Sequence, residues 1–231
     1  MKKRLVLFII LFVNTSLLIS QDLYELRNAI DFYKTQKFFK DDWKDILSEN
    51  DIKGSPYLND EFINGSLFTT SKLHFVDLPL RFNIFNDQME FKTESNQIQA
   101  IANPDIVFQI ELDSNKIVYL SFSTEKKIKK GFFIVLESGN VSLYAKPEVE
   151  FVKPTLPVPF KDAEPAKFIR KQDKYFIKIA NEPAKLVVKA KDFIDIMPDK
   201  KAYIEEYIKT NNVKINNPEK LNALVKYMNT L

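Results

Sequence analysis

The feature that most constrains the fold is an alternation of apolar and polar residues that recurs between positions 80 and 145. Apolar side chains alternate with Arg81 and Asn83 in residues 80–84, and the same pattern returns in residues 106–112. Successive side chains of a β-strand point to opposite faces of its sheet, so a period of two is typical of strands with one buried face. The sequence therefore predicts several such strands in succession.

Short polar turns separate these strands. They are predicted at Asn86 and Asp87 and at residues 113–115, 138–140 and 181–183. Strands joined by turns this short pair with their chain neighbours in antiparallel fashion. The predicted fold class is α+β: an antiparallel β-meander with an N-terminal helical segment and a small C-terminal unit of a hairpin plus helices.

One strand differs from the others because residues 132–136 are apolar at every position. Both of its faces are then expected to be covered. A curled or barrel-like sheet would cover the second face, and so would a helix laid over it.

The first twenty residues have the layout of a secretory signal peptide. A basic start at residues 2–4 precedes an apolar run at 5–13, and Ser20 is a small residue at the expected cleavage point. The apolar run is too short to span a bilayer as a stable helix. We therefore expect export to the periplasm or the cell surface, with an uncleaved anchor as the alternative.

Four segments are predicted after the leader. Residues 21–50 place apolar side chains at helical spacing and predict the N-terminal helical segment. Residues 51–152 form the antiparallel β domain. Residues 153–173 contain four prolines, which predicts an extended linker. Residues 174–231 form the C-terminal hairpin and helices.

The C-terminal helices carry recognisable start signals. Asp199 is predicted to cap the first helix, and Asn217 followed by Pro218 is predicted to begin the second. Apolar residues then recur at helical spacing up to Leu231, which indicates a helix face packed on a core.

Charge and cysteine content exclude several classes of protein. The chain has 34 basic and 31 acidic side chains, and the leader holds three of the basic ones, which leaves 31 of each. Nucleic-acid binding needs a basic field, so it is not expected. The lysines of residues 126–130 are expected to flank a turn in solvent. Cysteine is absent, which excludes disulfides and the lipid-anchored class of bacterial exported proteins, and no later segment is apolar enough to span a membrane.

The side chains available for catalysis are few. His74 is the only histidine and cysteine is absent, so a Cys/His zinc site, a multi-histidine metal site and a thiol nucleophile are all excluded. His74 lies in a strand pattern without a nucleophile elbow nearby. Four scattered glycines cannot form a phosphate-binding loop. We expect no catalytic residue, no cofactor and no metal.

The candidate binding surface is the part of residues 54–92 that strands and turns do not explain. It combines aromatic rings, an amide and two carboxylates in one loop, the kind of mixture that lines ligand sites. Its residues are Tyr57, Asn59, Asp60, Glu61 and Phe62.

Six stretches distributed over the chain are distinctive: residues 54–62, 77–91, 131–133, 143–146, 164–167 and 224–229. Together they resemble a family of exported proteins of unknown function from Bacteroidota, the flavobacteria and their relatives. The resemblance implies an exported bacterial protein with a β-rich body and a helical tail. It brings no catalytic residues with it.

These observations favour a non-catalytic binding or scaffolding module of the envelope, whose partner is an unknown envelope protein or an apolar ligand. Two alternatives remain open. A carrier of a lipid or acyl chain would need an enclosed apolar cavity of several hundred Å³, as ligand sites do. A carboxylate-dependent glycan hydrolase would need two carboxylates facing each other across a cleft, with Asp60 and Glu61 as the first candidates.

Overall fold

The structure is a computed structural model that describes residues 52–155 and 164–231. The predicted signal peptide and N-terminal helical segment lie outside these ranges, as does the middle of the predicted linker. No helix within the described ranges is long and apolar enough to cross a membrane.

Antiparallel strands dominate the described residues. The strands are β1 (Ile63–Thr69), β2 (His74–Asn83), β3 (Gln88–Lys92), β4 (Ile98–Ala100), β5 (Val107–Leu112), β6 (Asn115–Ser123), β7 (Ile128–Glu137), β8 (Val141–Lys146), β9 (Val149–Val152), β10 (Lys167–Arg170), β11 (Lys174–Ile179) and β12 (Lys185–Val187). Ten of them form one sheet in the order β12-β11-β8-β7-β6-β5-β1-β2-β3-β4, and β9 pairs with β10 separately.

The predicted meander is confirmed in its main course. Strands β1 to β4 form one run of neighbours and β5 to β8 form a second, and the two runs join because β5 pairs with β1. Strands β11 and β12 extend the same sheet, since β11 pairs with β8. The hairpin that the sequence assigns to a C-terminal unit is therefore part of the main sheet.

The sheet is open, so the expectation of a curled or barrel-like sheet is wrong. Strands β4 and β12 are the two edges, and no ladder between them is present in the described residues. Residues 132–136 are apolar on both faces of their strand. Another part of the chain covers the second face, so the sheet does not need to close.

Helices cover one face of the sheet and build the main core. They are α1 (Lys201–Thr210) and α2 (Pro218–Met228), preceded by short 3-10 helices at Ala190–Ile196 and Pro198–Lys200. Helix α2 packs on β7 and β8. Buried residues of the helices, such as Ile204 and Leu224, join buried strand residues such as Leu143 in one apolar cluster. Burying this apolar area is the main source of stability.

The helix boundaries follow the predicted signals in one case and not in the other. The Asn217 side chain accepts a hydrogen bond from the N–H of Lys220 at 2.9 Å and caps α2, as predicted. The prediction for Asp199 is wrong, because it lies within a 3-10 helix and α1 begins two residues later without a side-chain cap. At the end of α2 the Asn229 amide pairs with both main-chain groups of Val141, at 2.8 and 2.9 Å.

The opposite face of the sheet carries a second, aromatic cluster. The rings of Phe122, Phe133 and Phe176 contact one another edge to face, with centroids 5.0 to 5.5 Å apart. Ala184, in the loop before β12, closes the cluster and is fully buried. Its main chain pairs with the end of β6 through Ser121 and Ser123, at 2.9 and 2.8 Å. This returning loop is what covers the second face of β7.

Replacing Phe133 by alanine is expected to lower the free energy of unfolding by about 3–5 kcal/mol, because it removes the most buried ring of the aromatic cluster. Phe108→Ala is the matched control, since that ring is largely exposed and its loss is expected to change stability by less than about 1 kcal/mol. Urea denaturation followed by circular dichroism measures both. Equal effects would contradict a packed second face.

Stability is also expected to fall at alkaline pH through Tyr144, which packs against the aromatic cluster. Burial raises the pKa of Tyr144 above its ordinary value, and a hydrogen bond with Ser142 offsets part of that rise. From about pH 10 upward the unfolded chain then loses the tyrosine proton before the folded chain does, so unfolding is favoured until the folded pKa is passed.

The Tyr144→Phe variant isolates this contribution. Relative to the wild type, it is expected to gain stability as the pH rises from 9 to about 11, because it has no proton to lose. Tyr203→Phe, at an exposed position, controls for alkaline effects common to all variants. A wild-type to Tyr144→Phe stability difference that does not change with pH would contradict the assignment.

Candidate functional site

Residues 52–62, which include the predicted binding surface, run along the end of β2 and then turn into β1. The N–H of Leu58 donates to the carbonyl of Phe82 and the N–H of Ile84 donates to that of Pro56, both at 2.9 Å. Gly54 has a φ of +76°, and a Cβ on it would lie 2.3 Å from the carbonyl oxygen of Phe168. Only glycine fits there, so this entry into the sheet is determined by local geometry.

The Arg81 guanidinium is the centre of this region. It lies 3.6 Å from the ring centre of Tyr57 and 4.3 Å from that of Phe62. Its Nη1 donates to the main-chain carbonyl of Asp60 at 3.2 Å. Its Nη2 and Nε donate to one carboxylate oxygen of Glu90 at 2.8 and 3.3 Å. Cation–π contacts and charge-assisted hydrogen bonds together hold the loop on the strand.

Glu90 lies directly opposite Arg81 in the β2–β3 ladder and is only 6% exposed. Its other oxygen accepts a hydrogen bond from the Asn83 amide at 3.2 Å. Asn83 is buried as well, and its own side-chain oxygen accepts from the N–H of Asn86. Both carboxylate oxygens are thus occupied by protein donors. This arrangement is typical of a structural ion pair.

The structure separates the five predicted site residues by role. Tyr57 and Phe62 are drawn together by Arg81 and face the protein. Asn59 is half-buried, whereas Asp60 and Glu61 are exposed. The sequence missed Arg81, Asn83 and Glu90, which were expected on a solvated face of the hairpin. The signal that could have identified them is the opposite charge of Arg81 and Glu90 at facing positions of a predicted hairpin.

A second charged pair lies at the tip of the β2–β3 hairpin. The Lys146 ammonium is 2.9 Å from Asp87 and also donates to the carbonyl of Phe132 at 3.2 Å. The other Asp87 oxygen accepts the N–H of Phe132 at 3.2 Å. The last β7–β8 pair towards this end is Ile134 with Ala145, so Phe132 has no strand partner on that side. Asp87 and Lys146 supply the missing hydrogen bonds.

A third feature is an exposed apolar surface where β1, β2 and β5 meet at one end of the sheet. The strand ends are tied together, since the N–H of Thr69 donates to Leu73 and that of Thr70 to Ile106, at 2.9 and 2.8 Å. Five large apolar side chains at this end are between 44% and 64% exposed. We call them the apolar end; they are Leu73, Phe75, Val76, Ile106 and Phe108.

His74 lies within the apolar end and stacks on Phe68, with ring centres 4.1 Å apart and planes at 14°. It is an exposed strand residue, as the sequence predicts. A surface pocket of about 320 Å³ is lined by polar residues of the β6–β7 turn, which are Thr124, Glu125, Lys126, Lys127 and Lys129. Within residues 52–155 and 164–231, no group of three or more acidic, histidine or cysteine side chains is placed to hold a metal ion.

No family model matches the chain, and neither the curated proteins nor the solved structures contain a significant match.

The ion pair is expected to be essential to stability. Arg81→Met leaves the Glu90 carboxylate buried without its partner, which is expected to cost about 3–5 kcal/mol of unfolding free energy. Arg170→Met is the matched control, because Arg170 pairs with Asp173 in a more exposed position, and its loss is expected to cost about 1 kcal/mol or less.

A double-mutant cycle with Glu90→Gln separates pairing from packing. The double variant is expected to be less destabilised than the sum of the two single variants by about 1–3 kcal/mol, because neither buried charge is then left alone. Additive effects in urea denaturation would show that Arg81 acts only through its contacts with Tyr57 and Phe62.

Proposed function

We propose that this chain is an exported, non-catalytic binding or scaffolding protein of the bacterial envelope. Export rests on the leader-like residues 1–20 and on the resemblance to exported Bacteroidota proteins. The partner is an envelope protein or an apolar ligand, met in the periplasm or at the cell surface.

The observation that carries the binding role is the apolar end. Isolated exposed apolar side chains are common on soluble proteins, but contiguous ones are characteristic of interaction sites. Here they lie at or just before the first residues of β2 and β5, two strands that both pair with β1. Their removal from water on binding would contribute roughly 25 cal/mol for each Å² of apolar surface buried.

A non-catalytic role agrees with the hydrogen bonds made by the buried Glu90 and the partly buried Asp87. Glu90 is held by three donors from Arg81 and Asn83. Asp87 is held by Lys146 and the main chain of Phe132. General acid–base catalysis needs a group that reaches the proton it transfers, and these carboxylates are committed to the fold.

The two alternatives gain less support. The carrier needs an apolar cavity, whereas the pocket at the β6–β7 turn is lined by polar and charged residues. The hydrolase needs two carboxylates across a cleft, and its first candidates, Asp60 and Glu61, are neighbours on an exposed loop.

Site-specific photocrosslinking in the native envelope tests the proposal. A photoreactive phenylalanine derivative at Phe108 is expected to capture a discrete envelope protein on irradiation. The control places the same derivative at Lys116, an exposed position next to the β5–β6 turn at the opposite end of these strands.

Capture at position 108 that does not exceed capture at position 116 would contradict a binding role for the apolar end. Captured lipid would instead favour the carrier. Cleavage of envelope glycans by the purified protein, without specific capture, would replace the binding role by the hydrolase.

A further inference from the structure

Strand β2 has an open edge beside the apolar end. Its ten residues pair with β1 along most of their length, but β3 reaches only Leu80–Asn83. Within the described residues, no strand pairs with the outer side of residues 74–79. An unpaired row of main-chain donors and acceptors is a template for pairing with another strand.

The hydrogen bonds between β1 and β2 show which main-chain groups of β2 face outward. The N–H of Thr69 donates to the carbonyl of Leu73, and Phe75 faces Leu67 of β1 two residues later. Main-chain groups of an antiparallel strand alternate in direction, so Leu73 and Phe75 point to β1. The groups of His74, and of Val76 after it, point to the open side.

The open edge is limited by two residues with left-handed backbone. Lys72 has a φ of 66° and Asp77 a φ of 53°, and the ladder to β1 shifts register beside Asp77. Pro79 has no N–H to offer. Bulges, prolines and edge charges are the usual protection against pairing. Residues 73–76 between them carry none of these and expose Leu73, Phe75 and Val76 instead.

We propose that two copies of this chain associate through antiparallel pairing of these β2 edges around a two-fold axis at Phe75. In this alignment His74 of each copy exchanges two main-chain hydrogen bonds with Val76 of the other, which gives four in total. The two Phe75 residues face each other as a non-hydrogen-bonded pair, in which side chains approach most closely.

Charge complementarity selects a second copy as the occupant. The edge has a lysine at one end, Lys72, and an aspartate at the other, Asp77. Antiparallel pairing about Phe75 sets Lys72 of each copy opposite Leu78 of the other, one position from Asp77, so the long lysine side chain can reach the carboxylate in each of the two symmetric contacts. Such an isologous contact repeats each interaction by symmetry. An uncharged partner strand would leave Lys72 and Asp77 without an attractive contact.

The size of the surface sets the strength of the contact. Only Leu73, Phe75 and Val76 of the apolar end lie beside the edge, since β1 separates Ile106 and Phe108 from it, so two copies bury less than the ~1,200 Å² of a standard specific interface. We therefore expect a reversible, concentration-dependent dimer. The proposal is independent of which envelope component the chain binds, and its test uses the purified protein alone.

The absence of cysteine allows a direct test of the two-fold axis. In the full chain as exported, Phe75→Cys is expected to form a disulfide-linked dimer under mild oxidation, because Cα atoms about 4.5 Å apart in a non-hydrogen-bonded pair suit a disulfide. Phe108→Cys is the matched control, exposed but away from the axis. We expect covalent dimer at least about tenfold faster at position 75 than at position 108. Equal rates overturn the proposal.

Sedimentation equilibrium provides a second, non-covalent test. Val76→Lys, at an exposed position, is expected to weaken the dimer at least about tenfold, since a charge on an edge strand opposes pairing. Val188→Lys, also exposed but beyond β12 at the other edge of the sheet, is expected to leave it unchanged. Lys72→Glu is expected to weaken it as well, by replacing two attractive contacts with repulsive ones.

A wild-type chain that stays monomeric at every concentration overturns the dimer. If Val76→Lys then abolishes envelope crosslinks at position 108, the edge binds a different protein and the proposed function stands without the dimer. A dimer that forms as expected while position 108 captures nothing from the envelope supports the pairing and counts against the proposed function.

Discussion

A carboxylate that is removed from water must be paired, and that requirement organises one end of this molecule. Glu90 is stable in its buried position because Arg81 and Asn83 occupy its oxygens. Arg81 in turn needs neighbours that exclude water from it, which the rings of Tyr57 and Phe62 provide. The loop that carries these rings is therefore held against the sheet by the Arg81 guanidinium of β2.

This requirement gives β2 two different ends. Its C-terminal half is covered by residues 52–62, and the following turn contacts β7 and β8 through Asp87 and Lys146. Near that turn, Phe85 meets Phe151 of β9 and Phe168 of β10. The N-terminal half of β2 pairs with β1 on one side and exposes apolar side chains to solvent. The well-packed part and the exposed part of β2 are thus separated along one strand.

The sequence was most informative where structure depends on local chemistry. Alternation predicted the strands, and turn residues such as Asn86 and Asp87 predicted the hairpins, because both patterns reflect contacts between near neighbours. Asn217 and Pro218 predicted a helix start for the same reason. Local patterns could not predict that the sheet is open, because this depends on which distant segment covers the second face of the sheet at Phe133.

The candidate site was predictable only in part. Tyr57 and Phe62 were identified as unexplained by strands and turns, but their role depends on Arg81, which lies about twenty positions further along the chain. Asp87 was predicted to be a turn residue, and its φ of 53° agrees with a turn. Its pairing with Lys146 spans 59 positions, and no local pattern indicates such a contact.

Gly131 gives that pairing a further consequence for how the chain finds its fold. A Cβ at this position would lie 2.5 Å from an Asp87 carboxylate oxygen and 2.8 Å from the Lys146 ammonium, so a side chain here would displace the ends of both partners. If β7 slipped by one residue, Lys130 or Phe132 would occupy this position, and Asp87 and Lys146 would have to move from their present places. Gly131 thus couples the register of β7 to the contact between the β2–β3 turn and β7, which adds to the β5–β1 pairing between the two runs of strands.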